Sequence, residues 1–181
     1  IRRILITDVE VAPEGAVAFK SLSPKILDVI GREDVIVIDV GGRTTDICLY
    51  SLVKGKRQII KYQTVMVGTL NIYDEIAQAV NEKYGLDKTL EDGEWILNNG
   101  LSIYGKKQDL SFIKPTLKKQ TDKIFKELNM NFPIQTAQSL LIGGGSLLLQ
   151  SLFKKNLPHV IVANEPIFGN AYGMKKVGEE L

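Results

Sequence analysis

The residues of this chain best suited to chemistry stand together at positions 35–46, "VIVIDVGGRTTD". An apolar run ends in Asp39, and an ionised carboxylate at the end of a covered strand is costly unless a cation or hydrogen-bond donors meet it. A divalent ion or its water shell is one such partner. Gly41 and Gly42 leave the backbone bare, so that amide N–H groups can approach phosphate oxygens closely, and Thr44 and Thr45 can add hydroxyl donors. The same residues also suit a hairpin turn made of Gly-Gly, with Asp39 and Asp46 as local caps, and both readings stand at this point.

Three further stretches carry weaker signals. In "SLLIGGGSLLLQSLF", 139–153, an apolar strand is followed by Gly143, Gly144 and Gly145 and then a helix, which brings main chain and a helix N-terminus to one point where nucleotide groups can lie. The glycines do not follow G-x-G-x-x-G and no Gly-Lys-Ser/Thr is present, so this is neither a dinucleotide fingerprint nor a Walker A loop; a tight strand-to-helix turn explains them as well. In "VEVAPEGAVAF", 9–19, Glu14 sits in a Pro-Glu-Gly loop after a strand, where an acid facing a ligand would be placed, or where an acid opens a helix. In "NEPIFGNAYGM", 164–174, Gly169, Ala171 and Gly173 alternate with larger residues and permit a close helix contact.

The elements that must position these residues follow from patterning. Strands are expected over 4–11, 35–40, 47–53, 58–67, 139–142 and 160–162, the second of them a continuous apolar run suited to cover on both faces. A turn at Lys54-Gly55-Lys56 makes the second to fourth of these an antiparallel meander. Pro13 and Gly15 break the first strand, and a short helix is expected after them through about residue 27. Longer ones are expected over 71–84, with Ile72, Ile76, Ala79 and Val80 on one stripe, over 86–97, and over 114–128 with Pro115 in the first turn. The last two cover 147–153 and 168–177. This order describes an α/β lobe: a mixed sheet with helices on its faces.

Bulk properties narrow the function. The 181 residues, 44% hydrophobic, can form one domain or one large lobe of something bigger. The formal charge of +2 is spread along the chain, which gives no nucleic-acid or membrane signature. A single cysteine, Cys48 in an apolar neighbourhood, excludes an intrachain disulfide and suits a reducing compartment, the cytoplasm. No run approaches the roughly 18 to 20 apolar residues of a membrane helix, and no signal peptide is recognisable. Ile1 in the place of methionine is expected of a piece of a longer protein.

Taken in order, the Pro-Glu-Gly loop, Ile-Asp-Val-Gly-Gly-x-Thr-Thr-Asp, Ile-Gly-Gly-Gly and the terminal Asn-Ala-x-Gly resemble the actin-like ATPase superfamily, most closely the plasmid-segregation actins of the ParM/StbA type. "VIVIDVGGRTTDI" resembles that family's second phosphate loop, "LLIGGGSLLLQSLFKK" its adenosine loop and following helix, and "FGNAYGM" its closing helix. The resemblance implies an actin/ribonuclease-H-like lobe with a mixed five-stranded sheet. Residues 1–20 would be a crossing segment from a first lobe, and 21–181 a second lobe with a helical subdomain inserted at about 69–135. It also implies ATP (or GTP) and Mg2+ as ligands. Asp39 would hold the metal through water and help order the hydrolytic water, Glu14 would position or polarise that water, and Gly41, Gly42, Arg43 and Thr44 would line the phosphates. Gly143, Gly144 and Gly145 would border the ribose and adenine, and Glu94 would be an adenosine contact from the neighbouring helix.

The implied function is hydrolysis of ATP by filaments that segregate plasmid DNA in the cytoplasm. The partners would be further copies of the chain and an adaptor bound to the plasmid, with no direct contact to nucleic acid or membrane. A sugar or acid kinase and a nucleotide-sensing assembly module share the superfamily and remain open alternatives. Two features depart from the pattern: Arg43 stands where a small residue is usual, and the first phosphate loop has no match before Glu14. The resemblance therefore covers about the second half of a family member, and these residues alone are expected to bind nucleotide weakly and hydrolyse it poorly.

Overall fold

A computed structural model of the chain describes residues 5, 6, 9 and 11–179. Of the strand expected over 4–11, residues 4, 7, 8 and 10 fall outside that set, and the described residues 5, 6, 9 and 11 are not in a strand. The sheet has five strands: β1 (Val35–Val40), β2 (Thr45–Val53), β3 (Lys56–Val65), β6 (Gln138–Ile142) and β7 (Ile161–Val162), in spatial order β3-β2-β1-β6-β7. β1 to β3 form the expected antiparallel meander, and Lys54 and Gly55 take positive φ at its second turn, as a right-twisted hairpin requires. β6 and β7 run parallel to β1, which needs crossover connections, and helices supply them.

β1 is buried along its whole length, and alternation divides it between two cores. Ile36, Ile38 and Val40 join the larger core. Residues from α2 (Thr69–Tyr84), α3 (Leu90–Asn99), α4 (Lys114–Asn131) and α5 (Gly145–Asn156) complete it. Val35 and Val37 join the smaller core with Cys48, Tyr50, Leu140 and Ile142. Ala16 and Ala18 of a 3-10 turn (Val17–Ser21 and its flank) and Ile30 of α1 (Pro24–Ile30) cover that core. The closing helix α6 (Gly169–Glu179) packs on this turn, and a Cβ on Gly173 would lie 2.1 Å from the Val17 carbonyl oxygen, so only glycine permits the approach.

Several boundaries differ from the sequence reading. The single short helix expected after Gly15 is two pieces, because Pro24 lacks an N–H and starts a new helix with Ser23 as its cap. α2 starts at Thr69 because the Asn71 side chain accepts from the Gly68 amide at 3.0 Å and so caps the helix earlier. Its buried stripe holds Ala77 where Ala79 was expected. α3 starts at Leu90, capped by Thr89, which exchanges hydrogen bonds with Asp92 in a capping box. Between α3 and α4 lies an unexpected hairpin of two-residue strands, β4 (Ser102–Ile103) and β5 (Lys106–Lys107), too short to show periodicity. Among the described residues no helix is long and apolar enough to cross a membrane.

Candidate functional site

Parallel strands carry their following loops to the same edge of a sheet, and a crevice at that edge is where open α/β sheets place ligands. β1 and β6 are parallel neighbours with Asp39 opposite Ile142. The turn after β1 (41–44) and the glycine turn after β6 (143–145) therefore emerge side by side.

Asp39 is 6% exposed. By alternation its side chain shares the face of Val35 and Val37, toward the 3-10 turn and α6, and there it meets two distant segments. Asn170, in the first turn of α6, donates from Nδ2 to Asp39 Oδ2 at 2.6 Å, and its Oδ1 accepts from the Gly15 amide at 2.8 Å. Asp39 Oδ1 has no donor among the described residues. Burial pushes the Asp39 carboxyl above its ordinary range; the Asn170 hydrogen bond works against this, and the negative charges of Asp46 and Glu14 add to it. Asp46, opposite Asp39 on β2, accepts from the Thr64 hydroxyl at 2.6 Å. Glu14 is exposed on the loop before Gly15.

The 41–44 turn is held from behind. The Thr69 and Leu70 amides, at the start of α2, donate to the Gly41 and Gly42 carbonyls at 3.1 and 2.8 Å. The Gly41 amide donates to the Thr44 carbonyl at 2.9 Å. These bonds occupy the carbonyls, while the amides of Gly42, Arg43 and Thr44 have no acceptor among the described residues. A bare row of donors beside a helix N-terminus suits an anionic ligand. Arg43 is exposed, and Thr45, which could have added a hydroxyl, is buried and donates to the Val67 carbonyl at 2.8 Å.

The three glycines of the second turn differ in what surrounds them. Gly143 has φ +82°, donates its amide to the Pro166 carbonyl at 2.9 Å, and has no room for a side chain: a Cβ would lie 2.3 Å from Asp39 Oδ1 and 2.5 Å from the Val40 oxygen. A Cβ on Gly145 would lie 2.3 Å from Val40 Cγ1. Around Gly144 nothing lies within 4 Å of a Cβ position, so packing inside the lobe does not explain it. Glu94 is exposed on α3, beside Tyr73 of α2; burial and the Glu94 carboxylate both push the Tyr73 phenol up.

The fold thus brings together Glu14, Asp39, the 41–44 turn and the 143–145 turn, with Glu94 set off on α3. Asn170, which the sequence reading held only as part of the terminal Asn-Ala-x-Gly motif, is the residue to which it gave no role in the site, where the surrounding glycines read as packing alone. Its signal was an amide side chain in the first turn of a helix otherwise fitted for close contact. Among the described residues no group of three His, Cys, Asp or Glu could hold a metal ion. A cation here would take part of its shell from water or from ligand oxygens, and the free Asp39 Oδ1 fits that mode.

A family model described as the C-terminal part of archaeal actin homologues, MreB-like, matches residues 37–155. The chain belongs to this family. Its fold is actin-like. Among solved structures it is similar to a non-polymerisable quadruple mutant of pCBH ParM, at 23% identity and a TM-score of 0.80 over 94% of this chain and 54% of that one. It is similar to a 15-stranded ParM filament from Clostridium botulinum at 21% identity and a TM-score of 0.86, over 99% and 56%. The archaeal actin homologue Ta0583 in complex with ADP follows at 19% and 0.74, over 94% and 57%. At these identities the likeness shows the fold alone, and the MreB-like chain spans about half the length of the structures it matches. No curated protein matches it by sequence.

Proposed function

We propose that the chain is the second, nucleotide-holding lobe of an actin-like ATPase that binds ATP (or GTP) with Mg2+, assembles into filaments, and segregates plasmid DNA through an adaptor protein in the cytoplasm. The observation that carries the reading is the convergence on Asp39 of two backbone turns, one offering free amides and the other an uncrowded glycine. The ParM filament and the ADP complex among the similar structures support self-association and nucleotide binding as the activities to test.

In this reading the amides of Gly42, Arg43 and Thr44 bind phosphate oxygens, with the Arg43 guanidinium adding positive charge from the exposed side. Gly143 to Gly145 border the ribose and adenine, and Glu94 reaches the adenosine from α3. Asp39 Oδ1 would hold the hydrated metal, and Glu14 would orient the attacking water for in-line displacement at the γ-phosphorus. The water oxygen bonds to that phosphorus, the bond to the β–γ bridging oxygen breaks with its electron pair leaving on the nucleoside diphosphate, and the water's two protons stay with the released phosphate. Mg2+, when bound, neutralises charge on the phosphates. The protein itself touches neither DNA nor membrane, in keeping with its charge of +2.

The test is sedimentation of the full-length protein with Mg-ATP beside an Asp39→Ala version. Pelleting that requires nucleotide and is lost in the variant is the expected result. Equal solubility of both, with tight ATP binding, would refute the filament reading and favour a kinase or a sensor.

A further inference from the structure

The segment 166–170 contacts three of the converging pieces at once. The Pro166 carbonyl accepts from Gly143, Asn170 Oδ1 accepts from Gly15, and Asn170 Nδ2 donates to Asp39. Asn170 lies 131 residues from Asp39 and 155 from Gly15, so no local turn explains either bond. A carboxamide has the composition this position needs: an oxygen for the backbone N–H and an N–H for the carboxylate. Aspartate in its place would face Asp39 without a donor. The helix that carries Asn170 is fixed in depth by Gly173 against the Val17 and Ala18 backbone, so the carboxamide is delivered by a rigid element.

We infer that Asn170 is a positioning residue of the nucleotide site. By tethering one Asp39 oxygen and the Gly15 backbone with a single side chain, it fixes the Asp39 rotamer, leaves Oδ1 free for a hydrated cation, and sets the distance between Asp39 and the Glu14 loop. The inference rests on the nucleotide-binding reading above. Partners of this kind behind a metal-binding group typically change metal affinity or activity by roughly 10- to 100-fold when removed.

The experiment is a titration of full-length protein with the fluorescent nucleotide mant-ATP, with Mg2+ and with a chelator, for the parent, Asn170→Ala, Asn170→Leu, Asp39→Ala and the Asn170→Ala/Asp39→Ala pair. Asn170→Leu keeps the branched heavy-atom skeleton of the side chain and loses both hydrogen bonds. The expected result is that each Asn170 variant shrinks the factor by which Mg2+ tightens binding by roughly 10- to 100-fold. Affinity without Mg2+ stays unchanged, and Asn170→Ala adds nothing once Asp39 is alanine. An equal loss with and without Mg2+, an additive loss on top of Asp39→Ala, or loss of the folding transition in both Asn170 variants would each make Asn170 a structural residue and overturn the inference. If Asp39→Ala leaves the Mg2+ dependence intact, it is the nucleotide reading of Asp39 that fails.

Discussion

Gly143 and Gly144 are adjacent in sequence, yet alanine should have opposite effects at the two positions. At Gly143, φ is +82°, and an L-residue in left-handed backbone costs roughly 1–2 kcal/mol. The added Cβ would also stand 2.3 Å from Asp39 Oδ1 and 2.5 Å from the Val40 oxygen. The carboxylate can rotate away, but the carbonyl belongs to β1 and can move only with the strand, so a further ~1–3 kcal/mol of overpacking is expected. The sum is about 2–5 kcal/mol of destabilisation. For a domain of this size that lowers Tm by roughly 4 to 20 °C. At Gly144 the backbone is already helical, at φ −61° and ψ −34°, with nothing within 4 Å of a Cβ. Alanine there restricts the unfolded chain and should stabilise by ~0.4–1 kcal/mol. Urea and thermal denaturation followed by circular dichroism measure both. Two variants within about 0.5 kcal/mol of each other would refute the steric account of the turn. The same pair tests the site: Gly144→Ala should bind nucleotide more weakly despite its added stability, and unchanged affinity would remove Gly144 from the adenosine contacts.

Two further predictions concern titrating groups. Burial raises the Asp39 carboxyl above its ordinary 3.8, so the folded state holds its proton more tightly than the unfolded chain does. The stability tied to that proton is complete below about pH 4 and is lost as pH rises through the raised value. Asp39→Asn, which still offers Asn170 an acceptor, should therefore be more stable than the parent at pH 7, with the gap closing as pH falls through the raised value and gone by about pH 4; urea midpoints across that range should show it, and a gap of constant size would count against the burial argument. Burial also pushes the Cys48 thiol up to about 11, and the residue is fully buried. At about pH 8 Ellman's reagent should leave the folded protein unmodified and react at once in denaturant, whereas rapid reaction of the native form would show that the smaller core opens readily.

Local sequence signals located the sheet but did not show which of its residues meet. A strand buried on both faces must be apolar throughout, and 35–40 is apolar up to Asp39, so β1 and the turn after it were legible. Helix starts were less so, because Asn71 reaching back to Gly68 moves the start of α2, and Pro24 divides what reads as one short helix. The two glycine turns could be seen, but their adjacency follows from β1 and β6 pairing in parallel across about a hundred intervening residues, for which no local pattern exists. The division of labour within Gly143–Gly145 was hidden for the same reason, since it depends on where Val40 lies. Asn170 is the extreme case. Its two partners belong to the first third of the chain, and only the depth to which Gly173 lets α6 settle on the 3-10 turn brings the carboxamide between them. Enlarging Gly173 should therefore disturb Asp39 from a distance, because the helix that would be lifted is the one that holds the carboxylate.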